Sequence, residues 1–526
     1  MRRNSIAALA ALALLPITIL TTSAPASAAS GSLTVATYDR TGKAVAAALT
    51  LVNVGTNLQY TATGNKAKAL PNGTYAVLTD IWTTSGETDT LGARVLRVSG
   101  KTKATIDARS GKLLRINLDT NPDAGYSQQV RAQICAVPGS YTQVGAWNSP
   151  GQLFVIPDGS KQLQFAYAST WQGSTNESYM VAGSTKTTVP TGLSHTFKRA
   201  SLATVTSALK SGTSAGDDDS LQMVEDTACK AGYGSTLYSG PTPATAVAHV
   251  SAGKWQVESD WFATQKDGTT ASIGFLPYSL NAAAGKSYHL SYFNAPWGPA
   301  RTLPTIAPGG IGFGTSDMFT DPNAGTWGGE GSERSKVTLY DAKHKVIRSQ
   351  WQTDWENGNP DFLGKITKKG WYTLQVDGQR YRPDQTYPPT LLSNQNTAVF
   401  HIVADPKAAA RFADVILPRL VVSSGLNLSN TATHGSSVVV EIRPDRSNPH
   451  DPDLKFGSVT AKSVNLSASF DGGKTWHAVT VRRVGTKLQA TVKNAASGDY
   501  VALRSRLTAG NGQWVEVTDY RAYRLG

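Results

Sequence analysis

Short runs of alternating apolar and polar residues dominate the chain after its first 30 positions. Leu33 to Tyr38 alternates with period two and leads into a turn at Asp39 to Gly42, and the same alternation recurs in Val337 to Tyr340 and in Trp371 to Val376. Alternation of this kind between Gly, Asp, Asn and Lys turns is typical of half-buried β-strands. We therefore predict an all-β protein of serial β-sandwich domains with very little helix.

Two segments depart from this alternation. Ser201 to Lys210 has apolar residues at 202, 205 and 209, and Asp405 to Ala413 is long enough for two helical turns. Spacings of three and four residues are typical of an amphipathic helix. We predict short helices in both segments.

A glycine turn followed by an aromatic residue and a strand recurs along the chain. The glycines at 73, 159, 253, 370 and 498 are 86 to 128 residues apart, and Tyr75, Trp255, Tyr372 and Tyr500 follow four of them. This spacing suits sandwiches of about 100 residues, in which a tyrosine often pins a corner between the sheets. We divide the chain after residue 28 into a β-sandwich at 29–120, a disulfide-containing β-rich domain at 121–265, a Trp/Tyr-rich β-sandwich at 266–405 and an immunoglobulin-like domain at 406–526.

The first 28 residues have the pattern of a secretory signal peptide. Arg2 and Arg3 precede the mostly apolar run Ile6 to Leu20, and Ala26-Ser27-Ala28 is a small-x-small cleavage signal. Such a segment directs export and is not a membrane anchor. No later stretch offers 18 consecutive apolar residues, so we expect a secreted, extracellular protein without a transmembrane segment.

Cysteine usage and charge fit this location. Cys135 and Cys229 are the two cysteines, and an oxidising compartment favours a disulfide between them over a metal or catalytic thiol, which the absence of a C-x-x-C spacing disfavours. The formal net charge is +13. A cationic secreted protein tends to meet anionic partners such as cell-wall polymers or acidic polysaccharide, although solubility alone also explains the charge. No nucleic-acid recognition motif is present, so nucleic acid is not an expected partner.

Tryptophans are concentrated in the third predicted domain. Seven of the twelve lie between residues 255 and 371. Exposed aromatic faces stack on sugars or peptides, whereas most tryptophans pack in cores. We expect one to three of the seven to be exposed, and Trp327 in a glycine-rich loop and Trp355 beside Asp354 are the candidate binding residues.

A single Asp-box lies in the last predicted domain. The sequence S-x-D-x-G-x-T-W is formed by Ser469, Asp471, Gly473, Thr475 and Trp476. A carboxylate can accept hydrogen bonds from turn amides, and glycine permits a positive φ. The motif predicts a structural hairpin turn and not a catalytic group.

Catalytic and metal-binding patterns are weak. Ser214 lies in a G-x-S-x-G sequence, but a nucleophile elbow needs a strand before the serine and a helix after it, and a glycine-rich loop fits the context better. The eight histidines form no zinc-binding spacing, and a packed strand residue suits His401 better than a metal ligand. We expect no cofactor. Three acidic clusters are interpreted as solvated loops, with calcium binding as the alternative. They are Asp217 to Asp219, Asp321/Asn323/Glu330/Glu333 and Asp445/Asp451/Asp453.

Several segments resemble known extracellular modules. Leu33 to Tyr38, the turn Asp39 to Lys43 and Leu70 to Tyr75 resemble carboxypeptidase-regulatory-like sandwiches. Almost the whole chain after residue 28 is similar to the C-terminal accessory region of large secreted actinobacterial subtilisin-like serine proteases. The segments that carry this resemblance are Val77–Ile81, Ile106–Arg109, Tyr288–Leu303, Val337–Val346, Leu417–Leu426 and Ser469–Trp476.

The catalytic domain of those proteases is not recognisable in this chain. It needs long alternation of strands and helices with Asp, His and Ser in chain order, whereas Ser214 and Ser316 both precede His434-Gly-Ser436. The resemblance therefore implies accessory architecture and no catalytic residue. We expect a non-catalytic protein that binds an extracellular polymer or protein. The alternatives are an extracellular hydrolase with an unrecognised active site and an accessory or regulator of a secreted serine protease.

Overall fold

The fold was analysed in a computed structural model. It describes residues 30–136, 143–173, 175–216, 218–225, 229, 235–301, 303–315, 317–323, 329–330 (backbone), 333–353, 361–446 and 459–526. Nearly all regular structure in these residues is β-strand, as predicted. The regular exceptions among the described residues are two three-residue 3-10 turns, Ala108–Ser110 and Arg199–Ser201.

The strands of the first half begin at Ser30 and end at Thr264. They are β1 (Ser30–Tyr38), β2 (Ala48–Asn53), β3 (Gln59–Thr63), β4 (Ala67–Pro71), β5 (Gly73–Thr83), β6 (Thr88–Val98), β7 (Lys101–Asp107), β8 (Lys112–Leu113), β9 (Arg115–Leu118), β10 (Ser127–Ala136), β11 (Gln143–Asn148), β12 (Leu153–Val155), β13 (Leu163–Gln172), β14 (Glu177–Thr185), β15 (Ser194–Phe197), β16 (Ala203–Leu209), β17 (Asp218–Glu225), β18 (Ser235–Gly240), β19 (Ala244–Val250) and β20 (Gly253–Thr264).

The strands of the second half continue to Leu525. They are β21 (Thr270–Ala282), β22 (Ser287–Tyr292), β23 (Thr305–Ala307), β24 (Gly310–Phe313), β25 (Gly329–Glu330), β26 (Glu333–Tyr340), β27 (Val346–Thr353), β28 (Phe362–Lys365), β29 (Gly370–Arg380), β30 (Gln395–Ala404), β31 (Arg411–Phe412), β32 (Leu417–Ser424), β33 (Thr431–Ala432), β34 (Ser437–Asp445), β35 (Ala461–Ser469), β36 (His477–Val479), β37 (Val481–Val484), β38 (Lys487–Lys493), β39 (Tyr500–Ala509) and β40 (Trp514–Leu525).

The first sheets are layered, and the six-stranded sheet β3-β2-β5-β6-β12-β8 is covered on both faces. Alternate residues of β5 enter different cores. Tyr75 and Val77 pack against the sheet β4-β1-β7, whereas Ala76 and Leu78 pack against β10 and β13 of the seven-stranded sheet. A strand buried on both faces is apolar at successive positions, which explains the run from Tyr75 to Leu78.

Sheets cross each predicted domain boundary. Strand β12 pairs with β6 across residue 120, and β22 pairs with β16 across residue 265. Strand β30 pairs with β40 over seven residue positions, so one nine-stranded sheet spans residue 405. The predicted boundaries are therefore not places where the sheets end.

The recurring aromatic corners share one hydrogen bond. In three of them the ring of the aromatic residue donates from its hydroxyl or indole NH to the backbone carbonyl four residues earlier. These bonds run from Tyr75 to Pro71 at 2.9 Å, from Trp255 to Ser251 at 2.9 Å and from Tyr372 to Lys368 at 2.6 Å. The predicted pinning of corners by aromatic residues is confirmed at these positions.

Both predicted helices are wrong. Ala203–Leu209 is strand β16, in which residues 203, 205, 207 and 209 are buried. Two of these buried positions, Ala203 and Ser207, are not strongly apolar. The alternation of apolar and polar residues that is typical of a strand was therefore not visible in the sequence. Asp405 to Ala413 forms turns around the two-residue strand β31, which pairs with β23.

The predicted disulfide is confirmed. Cys135 at the end of β10 is bonded to Cys229, with 5.7 Å between the two Cα atoms. Both cysteines are fully buried and pack against Ala166 of β13. The bond ties together segments that are 94 residues apart in the sequence.

Replacement of both cysteines, Cys135→Ala with Cys229→Ala, is expected to lower the free energy of unfolding by about 2–5 kcal/mol. A cross-link that closes a long loop restricts the unfolded chain, and its removal restores that entropy. Urea unfolding followed by circular dichroism measures the difference. The same variant under reducing conditions is the control, because a reductant should destabilise the native protein and leave the variant unchanged.

Candidate functional site

The nine-stranded sheet β27-β26-β29-β30-β40-β39-β35-β36, with β33 beside β40, has one buried and one open face. Tyr372, Leu374 and Val376 of β29 point to the core, as do Phe400 and Ile402 of β30. The intervening residues form the opposite side, which we call the outer face. Period-two alternation of this kind is expected where one side of an antiparallel sheet faces water.

A stack of three aromatic rings crosses the outer face. His401 of β30 lies between Trp371 of β29 and Trp514 of β40, with ring-centroid distances of 4.8 and 5.2 Å. The guanidinium of Arg506 lies 4.1 Å from the centroid of Trp514 and is bonded to Glu516 at 2.9 Å. Across the adjacent strands β29, β30, β40 and β39, three aromatic rings are therefore followed by one cationic side chain.

A second aromatic cluster lies at the other end of the outer face, on β26, on β27 and just after β29. The guanidinium of Arg334 is 4.7 Å from the ring centroid of Trp351 and 4.1 Å from that of Tyr381. Trp351 is 47% exposed and Tyr381 is 38% exposed. Arg334 also donates to the side-chain oxygen of Gln379 at 3.0 Å, which holds the cation between the two rings.

Polar side chains fill the space between the two clusters. Asp377 accepts hydrogen bonds from Gln375 at 2.9 Å and from Thr397 at 3.0 Å. Lys336 of β26 pairs with Trp351 of β27 on one side and with Asp377 of β29 on the other. Trp371 lies six residues before Asp377 on β29. At about 3.3 Å per residue, the clusters are roughly 20 Å apart. The outer face can therefore contact a long ligand at two aromatic positions.

The histidine in the stack is held in its neutral form more readily than a free imidazole. Burial lowers the pKa of His401 below its ordinary value, and the positive charge of Arg506 lowers it further. Thr373 Oγ1 is 3.1 Å from His401 Nδ1. His401 therefore packs as a strand residue, in agreement with the sequence prediction.

The two predicted binding tryptophans, Trp327 and Trp355, lie outside the described residues. Five of the seven tryptophans between 255 and 371 are described, and two of these five, Trp351 and Trp371, are exposed. The other three are buried: Trp255, Trp261 and Trp297. Sequence reasoning did not single out Trp351 and Trp371. The alternation of Trp371 with Tyr372 and Leu374 was the available signal for its exposure, whereas Trp351 lies between Gln350 and Gln352 and offers no such signal.

The Asp-box forms the expected turn. Asp471 accepts from the backbone NH of Thr475 at 2.9 Å and from its hydroxyl at 2.6 Å, and these bonds hold the pKa of Asp471 well below its usual range. Ser469 donates to Asp471 at 2.7 Å. Trp476 donates from its indole NH to the carbonyl of Gly473, whose φ is +89°. Every polar side chain of the motif is engaged in holding the turn.

Ser214 lies in a strand-loop-strand connection between β16 and β17. Its hydroxyl donates to Asp219 at 3.1 Å and accepts from the backbone NH of Gly216 at 3.0 Å. Thr242 also donates to Asp219 at 2.8 Å, and burial raises the pKa of that carboxyl to about 6. A nucleophile elbow needs a helix after the serine, and here strand β17 follows. The helix expected before Ser214 is strand β16.

The first two acidic clusters do not match the interpretation as solvated loops, and the third is described only at Asp445. Asp219, Asp321 and Glu333 are all buried. Asp321 accepts from the backbone NH groups of Asn294 and Asn323, both at 2.8 Å, and burial raises the pKa of its carboxyl. Asp217, Asp451, Asp453 and the side chain of Glu330 are outside the described residues. Within the described part of the chain, no three His, Cys, Asp or Glu side chains are grouped to hold a metal ion.

No helix in the described ranges has the length and apolar character needed to cross a bilayer. No protein-family model and no curated protein matches the chain.

Among solved structures, the chain is similar to the TIE protein of Bacillus anthracis, at 9% identity over 50% of each chain with a TM-score of 0.12. It is also similar to trypsin-activated alpha-2-macroglobulin from Escherichia coli, at 9% identity over 94% of this chain and 41% of that chain, with a TM-score of 0.13. The native conformation of E. coli alpha-2-macroglobulin is similar at 8% identity over 96% of this chain and 40% of that chain, with a TM-score of 0.14. The chain spans half or less of the length of these proteins.

Substitution of Arg506 tests the stack. In Arg506→Gln the pKa of His401 is expected to rise toward the ordinary histidine value, because a neighbouring positive charge no longer opposes protonation. NMR titration of the histidine ring protons measures the midpoint, with His401→Gln used to assign the resonance. Lys336→Gln is the matched control on the same face, and an equal shift in that variant would contradict the proximity of Arg506.

Proposed function

We propose that this protein is a secreted, non-catalytic, multi-domain β protein that binds an extracellular polymer through the outer face of its nine-stranded sheet. The observation that carries the proposal is the pair of aromatic clusters about 20 Å apart on one open sheet face. Exposed aromatic rings contribute a large contact area at small conformational cost, and they can stack on sugar rings. Amide, hydroxyl and carboxylate groups between the clusters supply hydrogen-bond partners for a polar chain.

Charge directs the proposal to an anionic polymer. The outer face carries Arg334, Lys336, Arg504 and Arg506, whereas Glu516 is bonded to Arg506 and Asp377 accepts from neutral neighbours. The chain as a whole has a net charge of +13. A cationic surface concentrates acidic chains such as cell-wall polymer or acidic polysaccharide, and its attraction is screened by salt.

Secretion belongs to the proposal as well. The signal-like pattern falls within residues 1–28, and the disulfide between Cys135 and Cys229 suits an oxidising compartment. The sequence resemblance to accessory regions of secreted subtilisin-like proteases supports the same proposal, with a protease as the alternative protein partner.

Trp351→Ala is expected to weaken binding to an acidic polysaccharide about tenfold, a loss of about 1.4 kcal/mol, because one stacking ring is removed from the outer face. The measurement is co-sedimentation of residues 29–526 with purified bacterial cell wall and insoluble polysaccharides over a salt series. Trp371→Ala should give a similar loss.

Trp82→Ala is the matched control. Trp82 is 49% exposed but lies on β5 in a different sheet, so its removal should leave retention unchanged. Equal loss in all three variants would place the polymer elsewhere, and absence of retention on every polymer would contradict the proposed function.

A further inference from the structure

A groove opens at the far edge of the C-terminal sandwich, away from the aromatic clusters. It lies between the nine-stranded sheet and the sheet β32-β34-β38-β37, and its volume is about 760 Å³. Ligand pockets usually measure about 300–1,000 Å³. The groove is therefore large enough for a ligand of several residues.

Two sheet edges meet at this groove. Strand β36 is the last strand of the nine-stranded sheet in the order of pairing, and β37, one residue later in the chain, is the last strand of the neighbouring sheet. Each is paired on one side by a described strand, β35 or β38. An edge strand presents unpaired backbone NH and C=O groups on its other side and can accept a further strand.

The lining of the groove combines apolar and basic residues. Phe470, Val479 and Val484 are among its apolar residues, and Val484 is 57% exposed. The titratable residues that line it are the three bases His477, Arg482 and Lys493. The described lining thus favours a ligand that carries apolar groups and negative charge together.

The carboxylate beside the groove is already neutralised. Glu441 of β34 is opposite Gln489, which lines the groove. Arg443 Nε lies 2.9 Å from one oxygen of Glu441, and Lys487 Nζ lies 3.2 Å from the other. These ion pairs leave Arg482 and Lys493, which have no part in them, to face the groove.

We propose that this groove binds an acidic segment of a partner protein in extended conformation, which adds as a strand along the edge formed by β36 and β37. Side chains of an extended peptide alternate between two sides. Arg482 and Val484 lie on one side of β37, and His477 and Val479 lie on one side of β36. A peptide that carries carboxylates and apolar groups on the same side can therefore meet both kinds of residue. Strand addition supplies backbone hydrogen bonds, and the pockets for alternate side chains supply specificity.

A peptide fits these observations better than an anionic polysaccharide. A sugar chain has no backbone NH groups to pair with a sheet edge, and it offers no alternating apolar side chains for Phe470, Val479 and Val484. This site is also separate from the outer face, so the two proposals can fail independently.

Fluorescence anisotropy with a defined probe tests the proposal. The probe is the fluorescein-labelled heptapeptide Glu-Glu-Val-Val-Glu-Glu-Val, which carries glutamate and valine on both sides when extended. It is titrated with residues 29–526. We expect saturable binding that weakens with added salt and no binding of the matched lysine–valine peptide. The double variant Arg482→Glu with Lys493→Glu should weaken binding at least about tenfold, because it reverses both charges at the groove. Ala478→Trp, which fills the groove without changing its charge, should also abolish binding.

The matched control is Lys462→Glu with Arg483→Glu. Both residues are exposed and neither lines the groove, so the net charge changes equally while binding should persist. Thermal unfolding of each variant checks that the fold is retained.

Absence of binding by the native protein, equal binding of the lysine peptide, or equal loss in the control variant would overturn the proposal. Tighter binding of labelled polygalacturonate than of the glutamate peptide, lost in Arg482→Glu with Lys493→Glu, would overturn the proposal and assign the groove to a polysaccharide. Loss of peptide binding with unchanged wall retention would leave the outer-face proposal intact.

Discussion

The pairing of β30 with β40 is the interaction on which the candidate site depends. It joins Gln395–His401 to Trp514–Tyr520 through antiparallel registers, so that residues more than 100 positions apart become neighbours on one face. Without it His401 would not reach Trp514, and the aromatic stack would contain two rings instead of three. The same pairing brings the cationic side chains of β39 onto the surface that carries Trp351 and Trp371.

Burial on one side of this sheet explains the composition of the other. Leu374, Val376, Phe400 and Val515 supply the core, so the intervening positions are free to carry large polar and aromatic groups. The rings on the open face are supported by cations and by one another, which reduces the apolar area that water contacts. Such a surface combines rigid aromatic positions with groups that can exchange water for a polar ligand.

Local patterns in the sequence were sufficient for the fold class and several details. The alternation in β29 and β30 predicted strands because their inward residues are strongly apolar, and the aromatic corners and the Asp-box are determined by side chains within a few residues of their partners. The prediction failed in β16, where Ala203 and Ser207 are buried but are not strongly apolar.

The sheet that continues past residue 405 was beyond the reach of such patterns. Strand pairing over long distances depends on complementary surfaces and not on local propensity. The exposure of Trp351 and Trp371 likewise depends on which side of the sheet finds a partner. Asp321 was read as a loop residue because a carboxylate is rarely buried, and its burial depends on amides of segments that only the folded chain assembles.

The six-stranded sheet at the N-terminal end couples the unfolding of the layers on its two sides. Its central strands β5 and β6 contribute to two cores at once, so their amides can reach water only if layers on both sides separate. Hydrogen exchange of these amides should report large cooperative openings in place of local fraying. The first 120 residues and the region that follows them then behave as one cooperative unit, in which the stability of each part depends on the presence of the other.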